Sequence, residues 1–269
     1  MPIPKTALNS HRFAKRLPPG EFLIGAKEYG IDDETAQAAS ENYENNLVTW
    51  LGASAHMGSG KDTVMNSVIE KLDIPALQLS IANAIKDESD QVLAIVRDSD
   101  SKGEAASGIR NRFNINENVA DKIVGNVFDI AHEDPEMTAR SRYPEIRTLL
   151  QSWGAERRYE NENIWLEKIL PLAYSAMANG RSVYVTDARF VNDVSVLSSL
   201  GMWSIRLEVS PETQEQRITS RDGHKIDAEA LTHISETALD GYQDFDLVID
   251  NNGQIEPSIN KIINFLVVI

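Results

Sequence analysis

The chain contains no cysteine. That excludes a disulfide scaffold, a Cys-ligated zinc site and a thiol nucleophile, and it fits a reducing compartment. No apolar run approaches the roughly 20 residues a membrane helix needs. Residues 1–20 (MPIPKTALNSHRFAKRLPPG) are basic but lack the apolar core of a secretory signal. A cytoplasmic protein without membrane contact is therefore expected. Positive charge is also scarce: Lys plus Arg total 26 against 41 Asp plus Glu, a formal net charge of −15. Phosphate backbones repel such a chain unless its basic residues cluster, so nucleic acid is not an expected partner. There is no Gly-x-Ser-x-Gly elbow, and the 5 histidines form no metal-ligand cluster in the sequence.

What is present is an ordinary globular composition, 42% hydrophobic and 25% charged over 269 residues. That is long enough for one large α/β domain or two small ones. Residues 1–46 differ from the rest. The first twenty hold Pro2, Pro4, Pro18 and Pro19 with few large apolar side chains. They read as a partly flexible arm, or as an arm that docks on a partner subunit. Residues 21–44 can form one or two short helices, the second capped by Asp32 or Asp33, with Thr35, Ala38 and Ala39 on one face.

From Leu47 onward strands and helices alternate. Strands are expected at 47–51, 76–80, 182–186, 203–209 and 246–250, and a final helix should share Ile255, Ile259, Ile262, Ile263 and Leu266 on one face. Such alternation implies a parallel sheet covered on both faces, a three-layer α/β/α arrangement. A mostly helical insertion, about 81–160, separates the second and third strands and suits an acceptor-binding subdomain. Within it, residues 98–108 (DSDSKGEAASG) read as an exposed polar loop.

The strongest local signal is residues 55–63, Ala-His-Met-Gly-Ser-Gly-Lys-Asp-Thr, between an expected strand and an expected helix. Gly58 and Gly60 let the backbone curl so that N–H groups around Ser59 converge on phosphate oxygens. The helix adds its positive N-terminal end, and Lys61 reaches the phosphates as a mobile charge. Two positions depart from the pattern G-x-x-x-x-G-K-[ST]. Ala55 replaces the first Gly, which is acceptable if φ stays negative there. Asp62 replaces the hydroxyl residue, with Thr63 one place later. A Mg²⁺ ion must then be held largely by phosphates and water, with Asp62 and Asp187 as the carboxylates that hold it through water.

Asp187 and Arg189 follow the third strand, where ligands of parallel sheets gather. Asp187 can hold the water shell of Mg²⁺ or position the acceptor, and Arg189 can fork onto a phosphate. Arg147 and Gln151 stand one turn apart on an expected helix, 145–158, and can grip a phosphate and a base; Lys86 is a further acceptor candidate. Arg157 and Arg158 look surface-like, as does His56. Ser210 and Pro211 open a helix on which Arg217 and Arg221 share a face. Two arginines there suit a lid over about 211–235, closing on the transferred group. His233 and Glu236 lie three apart, too few groups for a metal site.

Residues 58–63 (GSGKDT), 85–87 (IKD), 147–154 (RTLLQSWG), 185–189 (VTDAR), 233–236 (HISE) and 246–253 (DLVIDNNG) occur in an order that resembles the phage-type deoxynucleoside monophosphate kinases, over about 47–269. The resemblance implies a P-loop nucleotide-kinase fold and transfer of the γ-phosphoryl group of ATP, with Mg²⁺, to a deoxynucleoside monophosphate. It implies that Lys61 and Thr63 bind ATP phosphates, that Arg147, Gln151 and Asp187 face the acceptor, and that Asn251, Asn252 and Gly253 border the adenine. Residues 81–84 (IANA) stand where that family tends to carry Gly-Pro. Residues 147–158 and Asp244-Phe245-Asp246 also resemble the animal-type phosphomevalonate kinases. Another small phosphorylated acceptor is thus the second reading, and a P-loop ATPase or nucleotide-binding module the third. The oligomeric state stays open, a homodimer being common among such enzymes.

Overall fold

A computed structural model describes residues 12–13, 16–18, 20–223 and 231–268. The chain divides into two units, Met1–Ser80 with Ile169–Ile269, and Ile81–Lys168.

The first unit is built on five strands: β2 (Trp50–Ser54), β3 (Ala76–Leu79), β4 (Ser182–Val185), β5 (Trp203–Glu208) and β6 (Leu247–Asp250). All neighbours pair in parallel, in the order β3-β4-β2-β5-β6. The first strand begins three residues later than 47–51 predicts, because Thr49 still lies outside the ladder while the run Trp50–Ser54 is buried throughout. Side chains alternate across the sheet. Leu51 and Ala53 join Ile205, Leu207 and Ile249 under α3 (Lys61–Leu72) and α12 (Ile255–Leu266), which supply Val64, Met65, Val68, Leu72, Ile259 and Ile262 to the same core. Trp50 turns to the other face, where its ring meets Tyr174 of α8 (Ile164–Ala178) edge-on at 6.1 Å. Helices on both faces match the expected layers.

Two helices of the expected arm belong to this unit's core. In α1 (Glu21–Glu28) and α2 (Asp33–Glu44), Phe22 stacks on Tyr43 with ring centroids 4.2 Å apart, and both are buried. Phe22 also meets Tyr174 at 5.1 Å. Burying an aromatic ring of this size contributes about 1.5–3 kcal/mol. Asp32 caps α2 by accepting from the Thr35 N–H at 2.9 Å. The buried face is Ala36, Ala39, Ser40 and Tyr43 rather than Thr35, Ala38 and Ala39. Arg16 also joins this unit: its Nε donates to both Asp246 carboxylate oxygens, at 3.1 and 3.2 Å. Further, β1 (Arg12–Phe13) pairs antiparallel with β7 (Val267–Val268). Residues 1–11 of the expected arm lie outside the described residues.

The second unit is helical: α4 (Ile81–Arg97), α5 (Lys102–Phe113), α6 (Glu117–Glu133), α7 (Pro144–Glu160) and the start of α8. Most of the expected polar loop 98–108 is the first half of α5, with Ser101 as its cap accepting from the Glu104 N–H at 3.2 Å. Its Ala105, Ala106 and Ile109 are buried, a small apolar stripe too weak to stand out among polar neighbours. At this unit's centre lies Glu88, 4% exposed. It accepts from Trp153 Nε1 at 3.1 Å and Arg157 Nε at 2.8 Å, and pairs with Lys168 Nζ at 2.7 Å. Arg157, expected at the surface, is therefore a core ion-pair residue. Its position gave no hint, because the partner carboxylate comes from another helix.

Candidate functional site

Between β2 and α3 the chain turns through residues 55–60. Gly58 and Gly60 sit at φ 79° and 82°, in the left-handed region that a side chain disfavours. Ala55 keeps a negative φ, since Asn46, Asp73 and Asn114 are the non-glycine residues with positive φ among those described. A methyl group on Gly58 would meet Ile218 Cγ1 at 2.6 Å and Gln214 O at 3.3 Å. Gly58→Ala is thus expected to cost about 1–3 kcal/mol from backbone strain, before the clash is counted. Equilibrium urea unfolding checks it, and a variant as stable as the parent would show that the turn has another shape.

The turn is held from three directions. First, the Ser59 carbonyl accepts from Asn251 Nδ2 at 2.8 Å and from Arg217 Nη1 at 3.1 Å. Asn251 is buried, and its Oδ1 accepts from Ser258 Oγ on α12 at 2.7 Å. Second, the Met57 carbonyl accepts from Gln214 Nε2 at 2.9 Å, on α10 (Pro211–Asp222). Third, the Met57 N–H donates to Glu236 Oε2 at 2.8 Å, on α11 (Ile234–Thr237). Ser59 Oγ is buried without a partner among the described residues.

Positive charge gathers beside the turn. Lys61 opens α3 and its ammonium lies 3.5 Å from Asp62 Oδ2. Arg189 follows β4 and pairs through Nη1 with Glu236 Oε1. Arg206 lies on β5, nearly buried, and donates to Ser54 Oγ at 3.2 Å and to Asp240 Oδ1 at 3.1 Å. These three cations line one hollow with Ala55, Thr186 and Glu236. The His56 ring, 35% exposed, pairs with Asp240. Each of the three cations is paired with a carboxylate, Lys61 with Asp62, Arg189 with Glu236 and Arg206 with Asp240, and the start of α3 adds the positive end of a helix beside them.

The expected residues fall into groups. Gly58, Ser59, Gly60, Lys61 and Arg189 are brought together. Asp187 accepts from Ser80 Oγ at 2.7 Å at the ends of β3 and β4. Asp62 and Thr63 are exposed on the first turn of α3. The Asp62 charge reaches the hydroxyl of Tyr184, whose pKa is raised first by burial and then by that charge. Among the described residues no three carboxylate or imidazole groups converge to hold a metal.

Arg217 spends both terminal nitrogens on backbone carbonyls, including Asn251 O at 2.8 Å, and so ties the turn to residues 251–253. In that second turn Asp250 accepts from the Asn252 N–H at 2.9 Å, which holds its carboxyl below the usual range, and Asn252 Oδ1 accepts from the Ser210 N–H at 2.7 Å. Arg221, by contrast, is exposed and forks onto Asp222. Residues 224–230 of the expected lid lie outside the described residues.

Lys86, Arg147 and Gln151 belong to the second unit. Arg147 and Gln151 are exposed, four apart on α7, and Lys86 is half-buried on α4. A methyl on Gly154 of α7 would lie 3.4 Å from Ile85 of α4, so the two helices adjoin there.

Glu236, Asp240, Arg206 and Gln214 were not candidates from the sequence. For Arg206 a signal existed: a charge in the middle of an apolar strand needs a buried partner. For Glu236 the only signal was its place in the HISE stretch.

The chain matches no family model and no curated protein. A solved structure, the crystal structure of an uncharacterized protein from Eubacterium ventriosum ATCC 27560, aligns with 81% of this chain and 97% of its own. The identity is 14% and the TM-score 0.35, which adds nothing to the reading of the site.

Proposed function

We propose that the chain transfers the γ-phosphoryl group of ATP to a deoxynucleoside monophosphate. The observation that carries this reading is the turn at residues 55–60. Two glycines at positive φ lie between a buried parallel strand and a helix, and Lys61, Arg189 and Arg206 share one hollow beside them.

In this reading the N–H groups around Ser59 and the start of α3 bind the phosphate chain. Lys61 neutralises the charge that develops on the phosphoryl oxygens during transfer. Arg189, on the strand end beside it, offers a second positive group to the same oxygens. Arg217 holds the turn in shape through the Ser59 carbonyl and touches residues 251–253, the segment assigned to the adenine. Mg²⁺, which Asp62 and Asp187 would hold through water, would supply neutralisation of phosphate charge. The acceptor phosphate needs no strong general base, because its second pKa of about 6 leaves it largely ionised at pH 7. The protein's work is alignment, charge neutralisation and exclusion of water. Recognition of the acceptor is assigned to Lys86, Arg147 and Gln151.

A coupled assay for ADP over a panel of deoxynucleoside monophosphates tests the proposal. Turnover must rise above the no-acceptor rate with at least one of them. Activity with phosphomevalonate alone would move the chain to the second reading, and acceptor-independent hydrolysis to the third. Arg147→Ala is expected to raise the acceptor KM by about tenfold or more, the loss of a charge-assisted contact, while the ATP KM changes little. Equal effects on both constants would remove Arg147 from the acceptor. Arg147 is exposed, so the variant should stay folded.

A further inference from the structure

The contact between the turn and Glu236 needs a physical explanation. Glu236 is 8% exposed and places a carboxyl group on a hollow read as an anion site. An acidic group there repels phosphate unless it is neutralised, and burying it costs free energy unless both oxygens are engaged. Both are: Oε2 accepts from the Met57 N–H at 2.8 Å and Oε1 pairs with Arg189. The same carboxylate therefore touches the apex of the turn and the cation after β4. Arg189 keeps 41% of its side chain exposed, so the pairing fixes its guanidinium at the hollow without burying it. Ser235 Oγ lies 3.5 Å from the same Nη1. On its other side the apex is held by Gln214 through the Met57 carbonyl.

We propose that Glu236 is a positioning residue, which sets Arg189 and the apex of the phosphate turn in fixed register so that both meet one phosphoryl group. It acts through Arg189 and does not touch the reacting atoms. The proposal deepens the kinase reading and rests on it for its catalytic part. The brace itself can be measured without nucleotide.

Three variants of the full chain separate the possibilities. Glu236→Gln keeps an acceptor for the Met57 N–H but loses the charge that orients Arg189. Its kcat is expected to fall about tenfold with an ATP KM within about threefold of the parent, since the affected interaction matters mainly in the transition state. Arg189→Met is expected to lose about a hundredfold, as for one donor to the transferring group. The double variant should lose no more than Arg189→Met alone, because residues that act through one another are not additive. A double-variant loss equal to the product of the two single losses would overturn the coupling. So would an unaltered kcat in Glu236→Gln.

Amide exchange of Met57 by NMR, in nucleotide-free protein, tests the brace independently. Protection should persist in Glu236→Gln and vanish in Glu236→Ala. Unchanged protection in Glu236→Ala would refute the brace itself. Absence of turnover with every acceptor in the parent chain would instead sink the kinase reading and the catalytic role of Glu236 with it, while the exchange result would still decide whether the brace exists.

Discussion

Lys61→Ala should lower kcat/KM for phosphoryl transfer by about 10²–10³-fold, the size of losing one preorganised group that stabilises developing charge. The physical reason is local. Lys61 opens the helix that follows the glycine turn, and among the described residues its ammonium has one ion-pair partner, the exposed Asp62 at 3.5 Å. A pair of this kind is worth at most about 1 kcal/mol. The variant should therefore unfold at the same urea midpoint as the parent, within error. Activity and stability are measured on one preparation. Near-normal turnover in a folded Lys61→Ala protein would place the phosphates elsewhere. A large loss of stability would mean that the lysine serves the fold. Lys61→Arg should recover only part of the activity, because a planar fork does not replace a compact charge at a backbone cradle.

Glu88→Ala should destabilise the second unit by roughly 1–3 kcal/mol, the cost of leaving a buried donor without its acceptor. Removing Glu88 strips the buried Trp153 Nε1 of its acceptor, while Arg157 keeps Glu160 Oε2 at 2.7 Å and the Phe113 carbonyl at 3.2 Å. Lys168 is 40% exposed and recovers water, so the loss should sit toward the lower end of that range. Hydrogen exchange across 81–168 should report the loss, since the group joins α4, α7 and α8 within that unit. Glu88→Gln, which keeps an acceptor for Trp153 Nε1, should recover most of it. A loss below about 1 kcal/mol in Glu88→Ala would mean that water reaches the cluster.

Much of the fold was legible before any coordinates. The alternation of apolar runs and 3.6-residue periods marked all five sheet strands to within a few residues, and the last helix carries its buried face on the residues that share one side. The glycine spacing of the turn was legible too, because positive φ at Gly58 and Gly60 is a local demand that only local sequence can meet. What stayed hidden was everything that depends on a partner far along the chain. Residues 21–44 read as one or two short helices, but their place in the core was hidden, because Phe22 packs on Tyr174 far along the chain. Residues 98–108 looked like a loop because three small buried residues make a faint stripe.

The site divides along the same line. Sequence by itself determined the strand, the glycine turn, the lysine and the helix that follows, since each is a property of neighbours along the backbone. Only the tertiary structure decided that Arg206 and Asp240 would flank the turn, that Asn251 and Arg217 would share the Ser59 carbonyl, and that Glu236 would hold Arg189 and Met57 at once. The position of a charge beside the glycine turn is set by the sum of its contacts across the sheet. Those contacts form only when strands distant in sequence come to lie side by side.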